Sequence, residues 1–209
     1  MKAYSFKNDF FFMRHGESLA NRNGIIVSSA EIGVSDYGLT GQGVNDVAEK
    51  AVSSRFDSNL RIVSSDFLRT QQTAQIIAEV VDSSYLEFSS ALRERYFGDL
   101  DGLSDTNYPV VWQLDKQGKK KFNVESLASV LHRMLSCVWE LESQFENQTF
   151  LLISHGDCLQ ILISWLQGLS PTQHRSVLAI KPAAIRAVNN QQSIQNILNQ
   201  LNLDIEDAA

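Results

Sequence analysis

A three-layer α/β/α fold with a mostly parallel central sheet is predicted by three features of the chain. Short β-prone apolar runs alternate with segments whose apolar residues recur every three or four positions. Those runs are nearly continuous in their hydrophobicity, as strands covered on both faces are. The 209 residues are enough for one compact core, so residues 1–209 are expected to form one domain.

The strands expected are Phe10–Met13, Leu60–Val63, Tyr85–Phe88, Phe150–Ile153 and Val177–Ile180. After the second, DFLRTQQTAQIIAEVV turns Phe67, Ala74, Ile77, Ala78 and Val81 to one helical face, with Ser65 as N-cap and Asp66 suited to the first turn. ESLASVLHRMLSCVWELESQF carries Leu127, Val130, Leu131, Met134, Leu135, Val138 and Leu141 on a core-facing stripe. Another helix is expected just after Gly156. A last one is expected from Ile194, Ile197, Leu198 and Leu201, ahead of an acidic tail. Between Gly98 and Asn123 the pattern breaks at Asp101-Gly102, Pro109 and Gln117-Gly118, which predicts an irregular excursion (98–123) over one edge of the sheet. Lys119, Lys120 and Lys121 in it are expected to be solvated, and Tyr108 and Trp112 to anchor it to the core.

Composition narrows the function. Eighteen Lys plus Arg against 24 Asp plus Glu leave a formal charge of −6, which argues against a nucleic-acid or anionic-membrane surface. An anionic ligand must therefore be held by a local pocket. Cys137 and Cys158 stand far apart with no C-x-x-C, so buried free thiols are expected rather than a zinc site or a disulfide. The N-terminal segment lacks the apolar core and cleavage site of a signal peptide, and the most apolar segment, FLLISHGDCLQILISWLQG, is interrupted by His155, Gly156 and Asp157. A cytoplasmic location without membrane contact is expected.

In open α/β sheets, side chains leaving the carboxyl ends of different strands converge on the ligand. Arg14-His15-Gly16-Glu17 follows the first strand, Arg69 the second, Arg93-Glu94-Arg95 the third and His155-Gly156-Asp157 the fourth. Crowded cations repel unless an anion neutralises them, and a phosphoryl group is the simplest such anion. Arg14 and Arg69 suit its non-bridging oxygens, because a planar guanidinium grips two oxygens at once. One histidine can attack as a neutral nitrogen while the other, protonated, stabilises the equatorial oxygens. Glu94 can protonate the leaving alkoxide and then take a proton from water. That role needs a carboxyl that stays protonated with substrate bound.

RHGES at 14–18 with Asn21 beyond it, SSDFLRTQQTA at 64–74, LRERYFGDLDG at 92–102 and LLISHGD at 151–157 resemble, in this order, the histidine phosphatase superfamily in its phosphoglycerate-mutase-like branch. SDYGLTGQG at 35–43 is similar to the segment that leads into that family's first helix. The resemblance implies a phosphoglycerate-mutase-like fold and phosphorylation of His15. It also implies a phosphate pocket completed by Arg14, Arg69 and His155, Glu94 as proton donor, Asn21 close to the phosphate, and no metal or other cofactor. The expected partner is a small phosphorylated substrate. Hydrolysis is favoured over mutase-type transfer, because the 98–123 excursion is short for a lid that must exclude water.

Three other readings are weighed. A non-catalytic phosphate-binding protein would be signalled by loss of His15, Arg14, Arg69, Glu94 or His155, and all are present. A metal hydrolase using His15, Glu17, His155 and Asp157 is disfavoured by the arginine beside the first ligand. Cysteine-based phosphatase chemistry needs an arginine six positions after the nucleophile, where Cys158 has Ser164 and Cys137 has Ser143.

Overall fold

The computed structural model describes residues 6–187. In chain order the elements are β1 (Asp9–Arg14), α1 (Leu19–Asn23), α2 (Ala30–Gly33), α3 (Gly41–Ser53), β2 (Arg61–Ser64), α4 (Leu68–Val81), β3 (Tyr85–Phe88), α5 (Tyr108–Lys116), α6 (Leu127–Gln144), β4 (Thr149–Ser154), α7 (Gly156–Leu166) and β5 (Ile185–Ala187). The five strands form one sheet in the order β3-β2-β4-β1-β5. The first four are parallel, and β5 pairs with β1 antiparallel.

Alternation along the strands builds two cores. Phe10 and Phe12 of β1 and Phe150 and Leu152 of β4 face Val130, Met134 and Val138 of α6 and Leu159 and Leu162 of α7. Met13, Leu151 and Ile153 point the other way, with Ile62, onto Val47 and Ala51 of α3 and Ala74 and Ile77 of α4. The sheet therefore lies between two helical layers, as the sequence predicts.

Helix starts explain how the loops reach the site. Thr40 caps α3 by accepting from the Gly43 N–H at 3.0 Å, and its hydroxyl donates to Glu17 at 2.7 Å, which ties the loop after β1 down. The α4 helix differs from expectation at its start. Phe67 is its N-cap residue, and Ser65 accepts from the Phe67 N–H at 3.3 Å from outside the helix. Asp66, also outside, holds the guanidinium of Arg93 by two bonds of 2.7 and 2.6 Å.

Two expectations are corrected. Val177–Ile180 forms no strand; the fifth strand is Ile185–Ala187. Pro182 supplies no ladder N–H, and Ala183 sits at φ 60° with its N–H on the carbonyls of Arg14 and His15. Ile180 is buried where it passes the end of β1, so its hydrophobicity marks a crossing rather than a ladder. The 98–123 excursion is also more ordered than its turn signals imply. It carries α5, and Phe97, Leu100, Val111 and Ile26 form a third apolar cluster with Tyr108, Phe122 and Val124 against it. The expected helix bearing Ile194 and Leu201 lies outside the described residues. Among those residues no helix is long and apolar enough to cross a membrane.

Candidate active site

Parallel register decides where the histidines meet. Arg14 of β1 is level with Ser154 of β4, so His15 and His155 leave neighbouring strands side by side, with ring centroids 5.2 Å apart. Arg69 comes between them from the first turn of α4. Its Nε donates to His15 Nε2 at 3.2 Å, and one Nη donates to His155 Nδ1 at 2.9 Å and to the Val27 carbonyl at 3.0 Å.

These bonds set the tautomers. His15 Nδ1 lies 2.6 Å from the Gly16 carbonyl, so Nδ1 carries the proton and Nε2 keeps its lone pair. Burial, and then the charges of Arg69 and Arg14, hold His15 well below the usual imidazole range. That environment favours a neutral imidazole whose Nε2 lone pair, now accepting from Arg69, can serve as a nucleophile once that bond is released.

A cavity of about 250 Å³ opens at these strand ends, lined by Arg14, His15, Asn21, Arg69, Glu94 and Gly156 among others. Arg14 reaches it with one Nη bonded to the Ile180 carbonyl at 3.0 Å. Its Nε, and one Nη of Arg69, are buried without a hydrogen-bond partner. An unmet buried donor costs about 1–3 kcal/mol, more when charged. Two at one cavity, both cationic, describe an anion site. Gly156 permits it, since a Cβ there would lie 3.3 Å from Cζ of Arg14 and press on the guanidinium.

Glu94 lines the same cavity. Burial raises its carboxyl above the usual range, against the opposing pull of Arg69, and this is the direction a proton donor needs. One oxygen accepts from the Arg95 N–H at 2.9 Å, with the Cys158 thiol 3.6 Å away. Asn21 closes α1 onto its cap, accepting from the backbone N–H and hydroxyl of Ser18 at 3.1 and 3.0 Å.

His155 is placed differently from expectation. It does not line the cavity: Arg69 occupies its Nδ1, and Nε2 donates to Ser65 at 3.0 Å. Burial and the Arg69 charge hold it well below the usual range, which favours the neutral form, and its bond to Arg69 sets it behind that guanidinium. Glu17 is taken up by Thr40 and, at 3.5 Å, Arg22. Among the described residues no group of three or more His, Cys, Asp and Glu side chains could hold a metal ion. Cys137 and Cys158 are free and buried.

Trp112, Tyr108, Asp157, Gln160 and Arg175 also line the cavity; of these, Gln160 and Arg175 are not singled out in the sequence. Tyr108 and Trp112, expected as core anchors, stack on each other at 5.5 Å and form a wall of the cavity. Asp157, placed by the sequence among the residues at the strand ends and weighed there only as a metal ligand, stands in the first turn of α7 and joins this wall.

The family description Histidine phosphatase superfamily (branch 1) matches residues 10–202. The chain belongs to this superfamily. Over 190 residues it is 29% identical to a probable phosphoglycerate mutase GpmB of Erwinia tasmaniensis, covering 88% of this chain and 85% of that one. A broad-specificity phosphatase of Saccharomyces cerevisiae is 26% identical over 178 residues, covering 80% and 74%. Among solved structures, a mycobacterial glucosyl-3-phosphoglycerate phosphatase superposes with a TM-score of 0.72 at 22% identity, covering 86% and 91%. A phosphoserine phosphatase of Entamoeba histolytica, in complex with 3-phosphoglyceric acid, gives 0.70 at 25% identity, covering 86% and 89%. This superfamily member thus has relatives named for mutase activity and for hydrolysis, and it shares its fold with the two phosphatases of known structure.

Proposed function

We propose that the protein hydrolyses small phosphomonoesters, without a metal, through a phosphohistidine on His15. The observation that carries this reading is the convergence of two unpaired buried guanidinium donors and the lone pair of His15 Nε2 on one cavity.

Arg14 and Arg69 take the non-bridging oxygens. His15 Nε2 attacks phosphorus as the P–O bond to the alcohol breaks, and Glu94 gives its proton to the leaving oxygen. Water then attacks phosphorus, the P–N bond breaks, Glu94 takes the water's proton and inorganic phosphate leaves. His155 acts behind Arg69, fixing the plane of its guanidinium.

Transfer back to an organic acceptor is the competing outcome, supported by the relatives named as mutases. Hydrolysis is favoured because a mutase must keep water from the phosphohistidine. The excursion supplies one nine-residue helix toward enclosure. Rapid quench with a radiolabelled phosphomonoester should trap an acid-labile label on the peptide bearing His15, chased into inorganic phosphate. Label on another residue, or turnover with no label, rejects the mechanism; label chased into an isomeric ester rejects hydrolysis.

A further inference from the structure

The outer wall of the cavity is gathered on one carboxylate. Asp157 Oδ1 accepts from Trp112 Nε1 at 2.9 Å, and lies 3.3 Å from His174 Nε2 and 3.7 Å from a guanidinium nitrogen of Arg175. Its Oδ2 accepts from Arg95 at 3.2 Å. Arg95 also forks onto Asp115, with two bonds of 2.7 Å. Trp112 and Asp115 belong to α5, His174 and Arg175 to the 3-10 turn Pro171–Ser176, and Arg95 to the loop just after Glu94. Three separate parts of the chain are thus joined through Asp157 to the first turn of α7.

Arg175 lies over the Trp112 ring, 3.5 Å from its centroid, and donates to Gln160. Tyr108 stacks on the same Trp112 ring, the two planes within 6° of parallel. Trp112, Tyr108 and Arg175 all line the cavity, yet none takes part in the bonds that hold Arg14, Arg69 and His15. The wall and the phosphate grip are separate bonding systems.

Energetics favour one residue controlling the wall. Hydrogen bonds to an ionised group are roughly twice as strong as neutral ones, and removing one partner of a buried ion pair leaves the other uncompensated. Arg95 is 2% exposed, so loss of Asp157 would leave Asp115 as its sole carboxylate in the described structure. Burial alone would raise the Asp157 carboxyl. The contact with His174 and the charges of Arg95 and Arg175 outweigh it and hold the group at about 2.

Resting on the phosphomonoesterase reading, we propose that Asp157 is a positioning residue for substrate selection: it fixes Trp112 and Arg175 against the alcohol half of the ester, and the phosphoryl grip forms without it. The wall it holds, a flat ring covered by a cation, reads the shape and charge of the alcohol.

Three probes that differ only in the alcohol test this: p-nitrophenyl phosphate, β-glycerol phosphate and 3-phosphoglycerate. For wild type and Asp157→Asn, KM and kcat are measured for each, together with inhibition by inorganic phosphate, which reads the phosphate centre alone. Asp157→Asn should raise KM more than it lowers kcat and change the ranking ratios among the probes by about tenfold, a factor corresponding to one lost charge-assisted contact. Inhibition by phosphate should stay within about threefold, below the effect of losing a phosphate contact. Trp112→Phe keeps a ring, removes one donor to Asp157, and should shift the same ratios in the same direction by about threefold. It also keeps the test valid if the Asn variant fails to fold. Ratios unchanged in the variants that fold, or phosphate inhibition weakened in step with ester KM, overturn the proposal. His15→Ala in the same assay checks the underlying reading separately, because hydrolysis surviving there rejects the phosphohistidine and leaves the Asp157 comparison standing.

Discussion

Arg69 Nε donates to His15 Nε2 at 3.2 Å, so the nitrogen expected to attack phosphorus is held by a cation that incoming phosphoryl oxygens also attract. Substrate binding must therefore draw the guanidinium toward the phosphate and release the lone pair. Arg69→Lys keeps the charge but loses the planar fork that spans His15, His155 and Val27. It should lower kcat/KM by about 10²–10³-fold, the range for losing one preorganised electrostatic contact. Steady-state kinetics on an aryl phosphate checks this, and a loss under tenfold shows that charge alone suffices.

Glu94→Gln separates leaving groups. An alkyl alkoxide needs the proton that the raised carboxyl supplies, while p-nitrophenolate leaves without one. The variant should slow alkyl phosphates by about 10²–10⁴-fold and p-nitrophenyl phosphate far less. Equal slowing of both removes Glu94 from the acid role.

Stability should fall with acid in a definite window. His15 and His155 are held neutral in the fold, well below the usual 6.5, so the unfolded chain binds more protons than the native one as pH drops below that value. Each contributes stability that is present at neutral pH and is lost on acidification by about 1 kcal/mol per pH unit. Glu94 has the opposite sign, since the native state keeps a proton that the unfolded chain releases above about 4.5. The histidines outnumber it. Urea unfolding between pH 7 and 5 should show declining stability in wild type and a shallower decline in His15→Gln; parallel slopes contradict the buried neutral state.

Gly156→Ala tests the anion site from the backbone side. Its new Cβ would stand 3.3–3.4 Å from Cζ, Nε and Nη1 of Arg14, close enough to shift the guanidinium by a few tenths of an ångström. Competitive inhibition by inorganic phosphate should weaken by about tenfold, roughly one charge-assisted hydrogen bond. Thermal denaturation should change little, because the neighbour is the end of a side chain. Unaltered inhibition would mean that Arg14 does not grip the phosphoryl group.

The gathering of the candidate side chains was readable because they sit at strand ends. Arg14, His15, Arg69, Glu94 and Gly156 each follow an apolar run or open a helix, so local pattern and one rule about open sheets bring them together. Contacts that depend on distant chain crossings were not readable. Trp112 meets Asp157 from 45 positions away, and Arg95 meets it from 62. His155 gave its position but not its protonation, which follows from the two donors and acceptors around it in space. β5 escaped because three residues after a proline carry too little periodicity, and the hydrophobic Val177–Ile180 stood in its place.

Phe97, Leu100, Val111 and Ile26 pack as a cluster of their own, apart from the apolar layers on either side of the sheet. The apolar contacts around α5 could therefore be rewritten like an exchangeable cartridge while the two main layers stay as they are, provided Trp112 and Asp115 keep their bonds to Asp157 and Arg95. Chimaeras that graft this segment between relatives with those two anchors retained then become a practical route to altered substrate range.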